Sequence, residues 1–192
     1  GHIVIVGKPN VGKSTLFNAL VGERLSIISP KPQTTRNNVL GILTKPRFQM
    51  LFLDTPGLLD PRYRLHELMH HQIQAALKSA DVLLGIVDAS DFKRTFDEDT
   101  KKAFQKPGIP LIFALNKTDL ITPDEVEHYK TVVEQSLTPQ TILAVSAIAG
   151  TQIPDLLTTL EQALPLGPQF YPEDMLADQP ERFFVAELIR EA

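Results

Sequence analysis

Residues 7–14 read GKPNVGKS and fit the pattern G-x-x-x-x-G-K-[ST], which is typical of a loop that binds nucleotide phosphates. An apolar run at residues 2–6 precedes this loop as a buried strand would. Residues 13–21 follow it as a helix would, and Gly22 stands where a glycine commonly ends a helix. A chance glycine-rich turn is the alternative, and the flanking strand and helix argue against it. The stretch therefore predicts a nucleotide-binding domain.

Each residue type in this loop has a chemical reason. Gly7 and Gly12 let the backbone approach the phosphates and point its N–H groups inward. Lys13 places a positive charge on the β- and γ-phosphate oxygens, and Ser14 offers a hydroxyl to Mg²⁺. The helix N-terminus adds partial positive charge. The candidate nucleotide-binding residues of the loop are Lys8, Pro9, Asn10, Val11, Gly12, Lys13, Ser14 and Thr15.

Apolar runs alternate with helix-like stretches along the chain. The strand-like runs are residues 3–6, 39–43, 50–53, 82–87, 111–115 and 142–145, and the helix-like stretches are 13–21, 65–79, 96–106, 124–136 and 153–164. This alternation predicts an α/β fold of the P-loop nucleotide-binding class, with a mostly parallel six-stranded sheet and helices on both faces. The short link at residues 44–47 predicts a hairpin, so one edge strand should be antiparallel. Thr122 and Thr151 are predicted N-caps.

Residues 54–57 read DTPG directly after a predicted strand. Asp54 can hold Mg²⁺ through a water, and the Gly57 N–H can reach the γ-phosphate. A plain turn of this composition is common by itself. The position one strand after the phosphate loop favours the nucleotide-binding interpretation, in which the ligand lies at the carboxyl ends of the strands.

Residues 116–119 read NKTD and follow another predicted strand. The Asp119 carboxylate can accept from N1–H and the N2 amino group of guanine, whereas adenine offers no such pair of donors. We expect discrimination on the order of 10³-fold or more. Lys117 can pack its stem over the base, and Asn116 can tie this loop to the phosphate loop. Ser146 and Ala147 follow the next strand, where the Ala147 N–H would support the base. Together the four motifs identify a GTPase of the translation-factor and Ras-like superclass.

Composition limits the alternatives. The chain has 192 residues, no cysteine, a formal net charge of −4 and a pI near 5.7. Absence of cysteine excludes disulfides and fits a cytosolic setting; the charge argues against a strong general nucleic-acid binder. No run reaches the roughly 18–20 apolar residues of a membrane span. Basic residues nevertheless predominate between Glu23 and Arg64, and this face is either simply solvated or meets RNA or a ribosome.

The composition changes near Pro165, after which prolines recur as far as Pro180. We expect a nucleotide-binding domain over residues 1–165 and a linker with the start of a further domain over residues 166–192. The chain begins without Met on the first strand and stops at Ala192 within a new apolar pattern. The expectation is an excised domain or fragment, with more protein after Ala192.

Two further stretches resemble the Era family of bacterial GTPases. Residues 30–36 read PKPQTTR, like switch I of that family, and residues 171–174 (YPED) and 178–183 (DQPERF) resemble its linker to an RNA-binding KH domain. The similarity covers essentially the whole chain. It implies a GTP- and Mg²⁺-dependent switch in small ribosomal subunit assembly and rRNA maturation, which binds rRNA mainly through the KH domain. It also implies a cytoplasmic location, with peripheral inner-membrane association in some members.

The resemblance also assigns residues near the γ-phosphate. It makes Thr35 the switch I magnesium ligand, with Thr34 as the fallback, and places switch I at about residues 26–38 and switch II at about 58–71. Leu58 occupies the position where Ras has the glutamine that orients the attacking water. Related GTPases with an asparagine at the position of Asn10 use K⁺ instead. The expected catalytic residues are therefore Lys13, Thr35, Gly57 and Asn10, unless Asn10 only shapes the loop.

Several rival functions remain open. Residues 66–70 read HELMH and fit the zinc-protease pattern H-E-x-x-H, but they fall in the expected mobile switch II and lack an evident third ligand. A non-catalytic interaction module would explain Leu58. An ATPase or kinase would share the phosphate loop, but residues 116–119 argue against it. Another GTPase of the superclass, of the tRNA-modification or tandem-domain type, is disfavoured by switch I and the linker.

Overall fold

The computed structural model describes residues 1–26, 28, 38–58, 64–106, 108–179, 183 and 189, without the side chains of residues 64–67, 69 and 70. The strands of this part are β1 His2–Val6, β2 Val39–Lys45, β3 Phe48–Asp54, β4 Val82–Asp88, β5 Leu111–Asn116 and β6 Thr141–Ala144. The helices are α1 Lys13–Val21, α2 Arg64–Lys78, α3 Phe92–Thr95, α4 Glu98–Phe104, α5 Pro123–Ser136 and α6 Ile153–Ala163. Short 3₁₀ turns lie at Ala89–Asp91 and Thr118–Leu120.

The six strands form one sheet in the order β2-β3-β1-β4-β5-β6. All neighbouring pairs are parallel except β2 and β3, which form a hairpin whose register places Lys45 opposite Phe48. Two residues, Pro46 and Arg47, therefore make the turn. The predicted fold, with an antiparallel strand at one edge of a mostly parallel sheet, is confirmed.

Two apolar clusters pack on opposite faces of this sheet. Side chains alternate across a strand, so Ile3 and Ile5 of β1 join one cluster and Val4 and Val6 join the other. Helices α1 and α6 cover the first face, and α2, α4 and α5 cover the second. The central strands are apolar on both faces for this reason, as a doubly covered parallel sheet requires.

Two local predictions differ from the structure. The helix expected at residues 96–106 is present as the shorter α4, because Asp97 takes an extended conformation and accepts hydrogen bonds from the Thr100 N–H and O–H as the N-cap of α4; the one-turn α3 before it was not predicted. The predicted N-cap Thr151 is wrong, since Gln152 is the N-cap of α6, with a positive φ of 56°, and Thr151 pairs with Ser146. The predicted N-cap Thr122 is confirmed, in a capping box.

The segment after α6 returns to the hairpin and covers the edge of the sheet. The Gln49 side chain donates to Tyr171 O and accepts from the N–H groups of Phe170 and Tyr171, at 2.8–3.0 Å. Farther along, the Ile42 N–H donates to Leu176 O at 2.8 Å. Backbone groups of β2 that an edge strand would otherwise expose are thereby partly satisfied.

Candidate functional site

Loops at the carboxyl ends of β1, β5 and β6 meet at the side chain of Asn116. Its Nδ2 donates to Val11 O at 2.9 Å, and its Oδ1 accepts from the Ala147 N–H at 3.0 Å. Asn116 is almost completely buried. The predicted role of Asn116 as a tie to the phosphate loop is therefore confirmed, and the tie also reaches the loop that follows β6.

Gly12 is required at this junction for two reasons. Its φ is +95°, a left-handed conformation that side chains rarely adopt, and a Cβ there would overlap the Asn116 side-chain amide. Gly12 also stands at the start of α1, where backbone N–H groups and the helix dipole favour an anion. The phosphate loop and the NKTD loop thus fit together only because residue 12 lacks a side chain.

Lys13 is buried beneath the phosphate loop, with 6% of its surface exposed. Its Nζ donates to the Lys8 carbonyl oxygen at 2.8 Å. Burial lowers the pKa of Lys13 to about 8, while the negative charge of Asp54 acts in the opposite direction. The lysine is therefore held at the loop as a poorly solvated cation, which an anionic ligand would stabilise.

The DTPG segment packs directly against the phosphate loop. The Leu58 N–H donates to Gly7 O at 3.0 Å, and a Cβ on Gly57 would lie 2.8 Å from the Pro9 backbone nitrogen. Thr55 is buried and donates its hydroxyl to Ile5 O at 2.6 Å. These contacts fix the Gly57 backbone beside the loop, where its predicted role toward the γ-phosphate requires it.

Two hydroxyl groups converge on one carboxylate oxygen. Ser14 Oγ donates to Asp54 Oδ2 at 2.8 Å, and Ser26 Oγ donates to the same oxygen at 2.7 Å. Hydroxyl and carboxylate oxygens are ligands that Mg²⁺ accepts. The donor set of Ser14 and Asp54 therefore fits the predicted magnesium site, and Ser26 is an addition that no motif signalled.

The NKTD loop, which is predicted to read the base, is anchored by Lys117 and Thr118. Lys117 has a positive φ of 64°, and its Nζ donates to Asn10 O at 2.9 Å and to Asp88 Oδ2 at 2.6 Å. The Thr118 hydroxyl donates to Val145 O at 2.9 Å. Asp119 lies in the 3₁₀ turn Thr118–Leu120 and is exposed, so its carboxylate is accessible to a base.

Comparison with known proteins assigns the family. The model of the family described as 50S ribosome-binding GTPase matches residues 2–117. The chain belongs to this GTPase family. Its whole length is also 39% identical to GTPase Era of Alkaliphilus oremlandii and 40% identical to that of Lacticaseibacillus paracasei, of which it spans 65% and 64%. The resemblance to Era predicted from switch I and the linker is confirmed.

Solved Era structures share the architecture of this chain. A crystal structure of Era in complex with MgGDPNP and nucleotides 1506-1542 of 16S ribosomal RNA matches with a TM-score of 0.91 at 38% identity. An Aquifex aeolicus Era variant bound to GDP·AlF4⁻ matches with a TM-score of 0.92 at 39% identity. Each alignment covers 100% of this chain and 65% of the solved one.

The remaining predicted site residues divide into four groups. Val11 is buried, and Pro9 packs on Gly57, so both shape the phosphate loop through the backbone. Lys8 turns away from the loop, because its Nζ pairs with Asp97 and Arg94 O beyond β4. The predicted roles of Asn10, Thr15 and Ser146 stay predictions, as does base support by the Ala147 N–H. Thr35, Thr34 and most of switch I lie outside the described residues, as do residues 59–63 of switch II.

Leu58 is partly buried against the second apolar cluster. An apolar side chain cannot hydrogen-bond a water, so Leu58 cannot orient a water as the glutamine at this position of Ras does. Among the described residues there is no group of three His, Cys, Asp or Glu side chains that could hold a metal ion, but the side chains of residues 66, 67 and 70 are not described. Exclusion of zinc from this H-E-x-x-H segment therefore stays a prediction.

In the described part of the chain, no helix is long and apolar enough to cross a membrane.

Proposed function

We propose that this chain is a molecular switch that binds GTP and hydrolyses it to GDP and phosphate. The observation that carries the proposal is the Asn116 junction, which joins the phosphate loop to both loops expected to read the base. A site that couples phosphate binding to guanine recognition is what a GTPase needs. The family match supports the same conclusion.

Hydrolysis would proceed by in-line attack of water on the γ-phosphate. The backbone of the phosphate loop and the Lys13 ammonium stabilise the charge that develops on the phosphate oxygens. Ser14, Asp54 and Thr35 would hold Mg²⁺, which would supply positive charge to the phosphate oxygens. After hydrolysis Thr35 and Gly57 lose their contacts with the γ-phosphate, so switch I and switch II relax.

The inability of Leu58 to orient water supports a role for K⁺ held by Asn10. Asn10 is exposed within the phosphate loop and takes a left-handed φ of 65°. A monovalent cation there would stabilise charge between the β- and γ-phosphates. We expect faster turnover in K⁺ than in Na⁺ at equal ionic strength, and loss of the difference in Asn10→Ala. Equal rates in both salts would leave Asn10 a structural role.

For the full-length protein we propose a role in small ribosomal subunit assembly and rRNA maturation. Support comes from the similar crystal structure of Era in complex with nucleotides 1506-1542 of 16S ribosomal RNA. Residues 1–165 would form the GTPase domain, and residues 166–192 the linker and the start of a KH-type domain that makes the main RNA contact. From the sequence resemblance alone, we also propose a cytoplasmic location with peripheral association at the inner membrane. Tight, salt-sensitive RNA binding by this chain alone would contradict the division of labour.

Multiple-turnover phosphate release from GTP tests the proposed activity. Without an activating partner we expect a rate no faster than about 10⁻²–10⁻⁴ per second. Lys13→Ala should abolish it, because the variant removes the buried cation that the phosphates require. Guanine-nucleotide binding without any Lys13-dependent turnover would instead identify a nucleotide-dependent interaction module.

A further inference from the structure

Asp88 lies at the base-reading side of the site, although no motif identifies it. It is the last residue of β4 and is paired in register with Asn116, the last residue of β5. Parallel strands end at the same edge of a sheet, so the two side chains stand next to each other beside the phosphate loop. Only 4% of the Asp88 surface is exposed.

The Asp88 carboxylate divides its two oxygens between different partners. Oδ1 accepts from the Ser90 N–H at 2.9 Å and from the Ser90 hydroxyl at 2.7 Å. Oδ2 accepts from Lys117 Nζ at 2.6 Å. The Thr95 hydroxyl also bridges the Asp88 N–H and carbonyl, at 3.1 Å each. The carboxylate is thus fixed in one orientation before any ligand arrives.

Lys117 in turn connects Asp88 to the phosphate loop. The consecutive residues Asn116 and Lys117 donate to the consecutive carbonyl oxygens of Val11 and Asn10. The Asn116 tie needs no charge, but Lys117 has a long flexible stem that would sample many rotamers without an anchor. A buried carboxylate 2.6 Å from its ammonium selects one of them.

We propose that Asp88 is a positioning residue for guanine-nucleotide binding, which holds the Lys117 ammonium on the Asn10 carbonyl and so keeps the Lys117 stem in place beside the base. The inference rests on the proposed function. It assigns Asp88 no contact with the nucleotide, since its effect passes through Lys117. The same hydrogen bond, from Lys117 to the Asn10 carbonyl, stabilises the left-handed backbone of Asn10. It therefore connects the loop expected to read the base with the phosphate loop.

Asp88→Asn is the sharpest perturbation because it preserves volume. The remaining side-chain oxygen can still accept from Ser90. The new NH₂ group then faces the Lys117 ammonium, and because both groups are hydrogen-bond donors, no hydrogen bond forms between them. Loss of a charge-assisted hydrogen bond predicts an increase of about tenfold or more in the Kd for GDP. Asp91→Asn is the matched control, since Asp91 pairs with Arg94 three residues away on a half-exposed surface and should leave the Kd within about twofold.

A double-mutant cycle on GDP binding, measured with a fluorescent ribose-labelled GDP, tests the pathway. Asp88→Asn should weaken GDP binding in the wild-type background. In a Lys117→Met background it should change the Kd by less than about twofold, because the ammonium group that Asp88 holds is absent. If Asp88→Asn unfolds the protein, Asp88→Ser serves instead, since its shorter side chain does not reach Lys117.

The outcomes are distinct. An equal loss of affinity in both backgrounds would mean that Asp88 only supports the local fold, and would overturn the inference. An unchanged Kd in Asp88→Asn would overturn it as well. Failure of the wild-type protein to bind GDP at all would instead refute the proposed guanine-nucleotide function.

Discussion

Raising the pH should weaken nucleotide binding through Lys13. Burial lowers the pKa of this lysine to about 8 in the protein alone, whereas adjacent phosphates would favour its charged form. Binding above pH 8 therefore requires uptake of a proton. Linkage predicts a Kd for GDP that is nearly constant below pH 7.5 and about tenfold higher at pH 9 than at pH 7.

Raising the pH should weaken nucleotide binding but should increase the stability of the protein without nucleotide. The folded pKa of Lys13 lies below the ordinary value of 10.5, so the unfolded chain binds more protons between about pH 8 and pH 10.5. Below pH 8 the buried Lys13 is charged, and its desolvation lowers the stability of the fold; this loss of stability disappears as the pH rises from about 8 to 10.5. By pH 10.5 the free energy of unfolding should therefore have increased by roughly 3 kcal/mol because of Lys13.

Isothermal titration calorimetry with GDP at pH 7, 8 and 9 measures both the Kd and, through buffers of different ionisation enthalpy, the proton uptake. Lys13→Met is the control, because any slope that it retains comes from other groups or from deprotonation of guanine itself. A Kd in the wild type that changes no more with pH than in Lys13→Met would refute the assignment of a poorly solvated cation at this position.

Three further predictions concern single residues. Gly12→Ala should abolish nucleotide binding and lower the free energy of unfolding by more than about 1 kcal/mol, because the new Cβ strains the backbone and overlaps Asn116. Gly22→Ala is the control: Gly22 also has a positive φ, but a Cβ there would meet open space, so nucleotide binding should survive. Asp119→Asn should shift preference from guanine to xanthine nucleotides, and unchanged GTP affinity in a competition assay would show that Asp119 is not the base reader. Gln49→Ala should destabilise the fold by about 2–3 kcal/mol and speed proteolysis near Tyr171, because it removes four side-chain hydrogen bonds; a cleavage rate equal to that of Gln162→Ala, a control at an exposed position of α6, would contradict this.

The parts of the site that the sequence predicts are those whose chemistry is local. The phosphate loop needs glycine at fixed spacing and a following helix, and the six apolar strands alternate with helices strongly enough to predict the sheet. Asn116 was predictable because its motif directly follows a strand. The one-turn α3 and the start of α4 at Glu98 were not, because they depend on an extended Asp97 that also pairs with Lys8 in the loop after β1.

Asp88, Ser26 and Gln49 could not be identified by spacing alone. Each acts on a partner 28 or more residues away: Asp88 on Lys117, Ser26 on Asp54 and Gln49 on Tyr171. Such contacts depend on strand order and register, which place distant residues at one edge. An aspartate at the end of a fully apolar strand was the only available signal, and that composition is also compatible with a plain turn.

The central claim is that three loops joined by Asn116 form a guanine-nucleotide site. Displacement of fluorescent GDP by unlabelled GTP, GDP and ATP, measured on one preparation at pH 7.5 with Mg²⁺, tests it most directly. We predict that GTP and GDP displace the probe at concentrations on the order of 10³-fold lower than ATP. Displacement by ATP at the same concentration as GTP would contradict the account.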